Sequence, residues 1–324
     1  MLLFLSVVVV AFLGTLVSVP VLIRKFKDAK IVGPDVHKPY KPLLPEMGGL
    51  GIVAGFVAGV LFAVALATLT KSGSAQGPAM ESDLASIFAA VMAILIIAII
   101  GMFDDLVRMR QSVKALLPIF ASMPLVAIAA GSPYMTLPFV GSVYLPLIYP
   151  LILIPLGFTV ASNVTNMLAG FNGLEAGMGL VACSALAVVA WRAGSLDALI
   201  LMLAMVGALA AFLVFNWYPA KIFPGDAGTL SIGAAIAAAA IIGNFEMAGV
   251  VVLMSYFADF IIKARNRFPK EVELTRLRGD HLTCERVVGL PGLIMNSING
   301  ISEKKLVLTL ILIELVFGTI AVLI

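Results

Sequence analysis

Two carboxylates stand side by side at Asp104-Asp105, directly after the apolar stretch "ILIIAIIGMF". The basic residues that usually close a membrane helix come only later, at Arg108 and Arg110. Four other segments carry residues able to do chemistry. "GPDVHKPYKPLLPEMGG" holds Asp35, Lys38 and Glu46, and "NVTNMLAGFNGLEAG" holds Asn163, Asn166, Asn172 and Glu175. "FNWYPAKIFPGDAGTL" holds Asn216, Lys221, Phe223 and Asp226, and "RLRGDHLTCER" holds Arg278, His281 and Arg286. Clustered carboxylates repel one another unless a cation sits among them. Asp and Asn oxygens are hard ligands suited to Mg²⁺, which keeps open positions for substrate phosphates. Lys and Arg suit phosphate oxygens. Gly170, Gly173 and Gly225 let the backbone approach a ligand closely. Phe223, beside a Gly-Asp turn, suits stacking on a planar base. Together these residues describe a site for a diphosphate and a divalent metal at a membrane surface.

Each segment alone has a plainer reading. Asp104-Asp105 serves equally as a solvated helix end, because interfacial acids are not functional by default. The asparagines are turn formers, Asp226 is a helix cap, and Trp217 is an interfacial belt residue. His37 and His281 are lone histidines of the kind that hydrogen-bond within loops. Asp259 and Glu314 fall within apolar segments, where a proton path and a helix–helix hydrogen bond explain them equally well.

The elements that must position these residues are membrane helices. Of 324 residues, 61% are hydrophobic and 12% charged, where soluble domains carry about 25% charged residues. A span needs roughly 20 apolar residues. That rule predicts an all-α polytopic protein with ten transmembrane helices near 2–23, 48–70, 84–103, 114–131, 143–161, 175–191, 197–215, 227–243, 246–264 and 305–324. Pro133, Pro138, Pro146, Pro150 and Pro155 predict broken or tilted helices around 132–161. The first segment lacks a preceding basic residue and is followed by "RKFKDAK", so it is expected to be a retained helix. Cys183 and Cys284 make no disulfide framework. No internal repeat of the transporter type is visible.

The chain reads as a single integral-membrane domain over 1–324, with cytoplasmic loops near 24–47, 104–113, 162–174, 216–226 and 265–304. These loops and their edges hold 19 of the 21 Lys and Arg residues; only Lys71 and Arg192 fall on the other side. The positive-inside rule therefore places both termini outside and the site in the cytoplasm. The acidic and amide clusters collect on the same face, while the opposite loops offer only Glu81, Asp83, Asp197 and Glu246.

Jointly and in order, these segments resemble the polyprenyl-phosphate N-acetylhexosamine-1-phosphate transferase superfamily. "NMLAGFNGLEAG" and "FNWYPAKIFPGD" look closest to its dolichyl-phosphate N-acetylglucosaminephosphotransferase branch. The resemblance implies transfer of a sugar 1-phosphate from a UDP-N-acetylhexosamine to a polyprenyl or dolichyl phosphate, with release of UMP, as the first step of lipid-linked glycan assembly. It implies that Asp104 and Asp105 are the catalytic acidic pair and that Lys114 contacts phosphate. It implies that Asn166 and Asp226 hold Mg²⁺, or Mn²⁺ in its place. Gly170, Asn172 and Phe223 match the uridine pocket, Glu46 a nucleotide contact, and Glu175 lies within the same substrate-binding block. The loop near 265–304 departs from the family pattern; Arg278, His281 and Arg286 are its candidates for the substrate-binding basic residues. The loop also lacks the large insertion of the eukaryotic enzyme, which favours a prokaryotic plasma membrane, archaeal above bacterial. Membrane lipid is an expected partner and nucleic acid is not. Members are often dimers, so a homodimer is among the expected states.

Three other readings remain open at this level. A transporter or channel explains the helices but not polar clusters gathered on one face. A CDP-alcohol phosphotransferase would need acids at fixed spacing around "DG" and "AR", a pattern this chain lacks. A bacterial-type undecaprenyl-phosphate transferase acting on another sugar fits the same motifs.

Overall fold

The computed structural model describes residues 2–73, 83–107, 109–137, 141–269 and 274–324. Arg108, Glu81, Pro138 and part of the loop near 265–304 lie outside these residues. Helices α1 (Leu2–Asp28), α2 (Gly49–Gly73) and α3 (Leu84–Val107) are followed by three short ones: α4 (Gln111–Leu116), α5 (Pro118–Ala121) and α6 (Met123–Ala127). A π-helical turn (Tyr149–Leu153) opens α7 (Ile154–Met167). Then come α8 (Leu174–Ala193), α9 (Leu196–Asn216), α10 (Gly225–Gly243), α11 (Glu246–Val252), α12 (Met254–Arg265), α13 (Leu290–Ser297) and α14 (Glu303–Leu323).

Among the described residues, eight helices are long and apolar enough to cross a membrane, and nine if α11 and α12, bent by 59°, make one span. The expected span at 114–131 differs. Pro118 and Pro124 divide it into α4, α5 and α6, because proline removes a backbone donor and clashes with the preceding turn. At 1.5 Å per residue the 17 residues 111–127 reach about 25 Å, short of the roughly 30 Å of hydrocarbon. The segment nevertheless travels the length of α10. Lys114 pairs with Asp226 at the start of α10, and a Cβ on Gly131 would meet the Ile241 carbonyl near its end.

The proline-rich stretch is also more specific than a broken helix. Residues Tyr134–Leu137 and Gly141–Tyr144 pair as an antiparallel hairpin before α7 begins. Two further hairpins lie at the other end of the bundle. Val32–Pro34 pairs with Leu43–Pro45, and Thr275–Arg278 pairs with His281–Cys284. The sequence reading predicted helices and loops only.

Helix α10 is the most enclosed of the eight spans and packs against α2, α3, α7 and α9. Its "GAAIAAAAIIG" composition explains the enclosure, since small residues let backbones approach closely within a membrane. Three glycines bring neighbours onto it. A Cβ on Gly101 of α3 would lie 2.5 Å from the Ala227 nitrogen, one on Gly49 of α2 would collide with Gly228, and Gly233 is pressed on the Ala161 carbonyl of α7. Two of these contacts, at Ala227 and Gly228, fall in the first turn of α10, where Asp226 also lies.

Candidate functional site

The ends of α3, α7 and α12 and the beginnings of α2, α8 and α10 meet the first hairpin at one end of the bundle. There they enclose a cavity of about 1090 Å³. Its lining includes Glu46, Asp105, Lys114, Asn166, Gly170, Glu175, Phe223 and Asp226. Eight of the thirteen residues singled out from sequence therefore share one space, although they are scattered over 181 positions.

Lys114 lies at the centre of the charged cluster. Its Nζ stands 2.6 Å from Asp104 Oδ2 and pairs with the Asp226 carboxylate. Asp104 also accepts the Met109 N–H at 2.7 Å, which folds the chain back after α3 and presents α4. Asp104 is not part of the cavity wall; it reaches the cavity through Lys114. Asp105 faces the other way. Its Oδ1 accepts the Asp226 N–H at 3.0 Å and its Oδ2 the Ala227 N–H at 3.5 Å. These are orphan donors of the first turn of α10, and a carboxylate there complements the positive helix end. Gly225 makes the approach feasible: its φ is +64°, and a Cβ would lie 2.5 Å from Asp105 Oδ2.

Asn166 completes the group. With its amide nitrogen towards Asp226 it donates to Asp226 Oδ1 at 2.8 Å and accepts from Lys114 Nζ at 3.0 Å. With the amide turned over, its oxygen faces Asp226 Oδ1 and Thr229 Oγ1 instead. The same atoms thus serve a protein hydrogen bond or a convergent set of hard oxygen donors. Among the described residues, no three His, Cys, Asp or Glu side chains form a closed metal cage.

Backbone bonds fix the Phe223 segment. Phe223 N–H donates to the Pro45 carbonyl at 2.8 Å, while Gly48 and Gly49 N–H donate to the Phe223 and Pro224 carbonyls at 2.8 and 2.7 Å. "PEMGG" and "FPGD", 178 residues apart, are laced together, which places Glu46 and Phe223 on one wall.

Asn172 is a brace instead. Its Oδ1 accepts the Ala220 N–H at 2.6 Å, its Nδ2 donates to Asp35 at 3.1 Å, and its backbone N–H donates to Glu303 at 2.8 Å. Lys38 pairs with both Asp35 and Glu303. This network ties the first hairpin, the α7–α8 loop and the start of α14 together, and Asn172 lines no part of the cavity.

Arg278, His281 and Arg286 are not brought to the cavity. Arg278 and His281 face one another across the tip of the last hairpin, and Arg286 donates to Asn266 at 2.7 Å. The 265–304 loop meets the cavity through its opening residues, Phe268 and Pro269, just after Lys263 of α12. Sequence reasoning missed Lys263. The signal was its i,i+4 relation to Asp259, to which it pairs at 2.8 Å. Asp259 in turn accepts the Leu290 N–H at 2.8 Å, and Glu314 accepts from Ser255. Both intramembrane acids therefore have helix–helix partners. His37, set aside as a loop histidine, is buried in the cavity wall and stacked on Phe171 with ring centroids 4.7 Å apart. Burial holds its pKa down at about 4, so the ring is neutral at pH 7.

Residues 87–244 match the model of glycosyl transferase family 4. A Saccharolobus solfataricus protein provisionally named UDP-N-acetylglucosamine–dolichyl-phosphate N-acetylglucosaminephosphotransferase is 36% identical over 322 residues, covering 97% of this chain and 94% of that protein. The phospho-N-acetylmuramoyl-pentapeptide-transferase of Shouchella clausii is 30% identical over 339 residues, covering 98% and 96%. With end-to-end similarity of this kind to an archaeal and a bacterial relative, the chain belongs to glycosyl transferase family 4.

Proposed function

We propose that this protein transfers N-acetylglucosamine 1-phosphate from UDP-N-acetylglucosamine to a membrane polyprenyl phosphate of the dolichyl type, releasing UMP. One observation carries the reading. The cavity that gathers Lys114, Asn166 and Asp226 is continued by an apolar wall that includes Val160, Val164, Phe257 and Phe260. A polar nucleotide and a prenyl chain would each find their own surface, with the two phosphates meeting between them. The name of the S. solfataricus relative supplies the sugar and the lipid class.

The site faces the cytoplasm in this reading. The broken α4–α6 segment counts as a crossing because it runs from Lys114 to the far end of α10, and the bent α11–α12 pair counts as another. That makes ten crossings with both termini outside, in keeping with the 19-to-2 division of Lys and Arg. The membrane is an archaeal plasma membrane.

Asn166 and Asp226 would hold Mg²⁺, or Mn²⁺. The donors fit: both present oxygens to one point, and two protein ligands without a closed cage leave room for phosphates and water, as Mg²⁺ requires. When bound, the ion neutralises the diphosphate and stabilises the departing UMP. Lys114 remains the protein's own positive charge at the phosphates, and Asp104 fixes its position. Asp105 keeps the first turn of α10 in place, so that Asp226 stands where phosphate arrives. Phe268 and Pro269 cover the apolar side. Phosphoryl transfer of this kind gains most from positioning and charge neutralisation.

Purified protein in detergent, given UDP-N-acetylglucosamine, polyprenyl phosphate and Mg²⁺, should release UMP. Release must depend on all three. UMP formation that ignores polyprenyl phosphate, or its complete absence, would reject the proposal.

A further inference from the structure

We infer that Lys263 and Asp259 are positioning residues for the metal site: their ion pair holds the last turn of α7, and with it Asn166, where Asn166 meets Asp226. The inference rests on the proposed role of Asn166 as a metal ligand and names the residues that set its position.

The last turn of α7 is held on both sides of Asn166. The Thr165 hydroxyl stands 2.9 Å from the Thr229 carbonyl of α10, and Asn163 Nδ2 donates to the Ala115 carbonyl of α4 at 3.0 Å. Those two contacts tie the turn to the elements that carry Asp226 and Lys114. The third comes from α12, outside the charged cluster. Lys263 Nζ donates at 2.5 Å to the carbonyl of Met167, the neighbour of Asn166 and the last residue of α7.

The pair follows the polarity of two helix ends. A helix ends in carbonyls without intrahelical donors and begins with N–H groups without acceptors. Lys263 brings a donor and a positive charge to the end of α7, as the helix dipole favours. Asp259 brings an acceptor and a negative charge to the beginning of α13, where its Oδ1 accepts the Leu290 N–H at 2.8 Å. The ammonium and the carboxylate stand 2.8 Å apart, and both residues are buried. Desolvation offsets the attraction of a buried pair unless further hydrogen bonds satisfy both ions. Here each ion has such a bond, and each bond goes to a different helix. Two ions one turn apart on α12 therefore join α7 to α13. Outer partners of this kind orient metal ligands, and losing one costs about ten- to a hundredfold in metal affinity.

Lys263 also lines the cavity beside Phe257 and Phe260. Direct contact with the phosphate of the lipid acceptor is therefore the rival role.

The test is binding of Mn²⁺ alone to the full-length protein in detergent, read from the electron paramagnetic resonance signal of the free ion. Asn166→Ala calibrates the site and should bind more weakly than wild type. Lys263→Met keeps a long side chain but loses the donor, and should bind Mn²⁺ about tenfold more weakly than wild type. Lys263→Arg restores a charged donor and should come within about threefold of wild type. Asp259→Asn/Lys263→Met leaves no buried ion unpaired, and is the variant read if Lys263→Met does not elute as a folded, monodisperse species. It should bind as weakly as Lys263→Met, because the pair acts as a unit. In turnover, Lys263→Met should raise the Mg²⁺ concentration for half-maximal rate and leave KM for polyprenyl phosphate within about twofold of wild type. A lowered unfolding temperature with wild-type Mn²⁺ affinity would make the pair merely structural and overturn the inference. So would a raised KM for polyprenyl phosphate with unchanged Mn²⁺ binding, which would assign Lys263 to the acceptor phosphate. A Lys263→Arg protein that binds no better than Lys263→Met overturns it too. If Asn166→Ala binds Mn²⁺ like wild type, the metal assignment itself falls, and the inference with it.

Discussion

Asp105 Oδ1 accepts the backbone N–H of Asp226 at 3.0 Å. One member of the acidic pair thus caps the helix that delivers the third carboxylate, while its neighbour Asp104 holds Lys114. Adjacent residues on a helix point about 100° apart, so a pair that looks like one functional unit in sequence serves two partners in space. The two aspartates are not interchangeable, and their variants should fail differently.

Asp105→Ala removes the acceptor for two first-turn N–H groups and should destabilise the protein by about 1–2 kcal/mol, the usual cost of a lost helix cap. Asp105→Asn keeps an oxygen there and should lose less. Thermal unfolding in detergent measures both. If Asp105→Asn unfolds like wild type but has lost UMP release, the negative charge, and not the cap, is what the reaction needs. Equal stability of Asp105→Ala and wild type would show that the cap contributes nothing.

At Asp226 the expected loss is of metal response. Asp226→Ala should abolish turnover in a folded protein, and Asn166→Ala should raise the Mg²⁺ concentration needed for half-maximal rate, with a smaller loss at saturation. A neutral oxygen contributes less to a divalent cation than a carboxylate does. The measurement is UMP release against Mg²⁺ concentration. Near wild-type turnover of Asp226→Ala at limiting Mg²⁺ would remove Asp226 and Asn166 from the metal site.

The parts of this site that were legible in sequence are those whose chemistry is local. Asp104-Asp105, "NMLAGFNGLEAG" and "FPGD" announced themselves by charge or glycine at the ends of apolar runs, and helix ends are where the site lies. Asn172 shows the limit. Its residue type suits ligand contact, but whether an amide is free depends on partners 48 and 137 positions away, at Ala220 and Asp35. His37 fails in the opposite direction, since a lone loop histidine gives no sign of burial until Phe171 is seen stacked on it. The form of one expected span was not legible where hydropathy and geometry disagree: 114–131 is apolar enough, but Pro118 and Pro124 forbid one continuous helix.

For the last hairpin the structure predicts small effects. Arg278, His281 and Arg286 are exposed and away from the cavity, and surface substitutions usually change free energies by no more than about 0.5 kcal/mol. Arg278→Ala and His281→Ala should therefore keep kcat/KM for the UDP-sugar within about threefold of wild type in detergent. A tenfold or greater loss with intact Mg²⁺ dependence would mean that the hairpin folds over the cavity during turnover.

Sidedness can be read with single cysteines in a Cys284→Ser background, since Cys183 is buried. Arg110→Cys lies beside the acidic pair and Ser195→Cys between α8 and α9. A membrane-impermeant maleimide should label position 110 only in inside-out vesicles and position 195 only in right-side-out vesicles. Labelling of both from one side would break the ten-crossing arrangement.

The final prediction concerns acid. The His37 ring is held at a pKa of about 4 by burial, against 6.5 for a free imidazole. Below pH 6.5 the unfolded chain takes up a proton at this position that the folded chain refuses until pH 4. Protons therefore favour unfolding between these values, and stability falls as pH drops from 6.5 to 4. The contribution present above pH 6.5 and lost by pH 4 is up to about 3 kcal/mol. Asp35 opposes the shift and Lys38 reinforces it, so the full amount is an upper figure. His37→Phe abolishes the titration while keeping an aromatic ring on Phe171. Thermal midpoints measured from pH 7.5 to 4.5 should fall more steeply for wild type than for His37→Phe, with the two curves converging or crossing at the acid end. Parallel curves would mean that the ring is protonated as readily in the folded protein as in the unfolded chain.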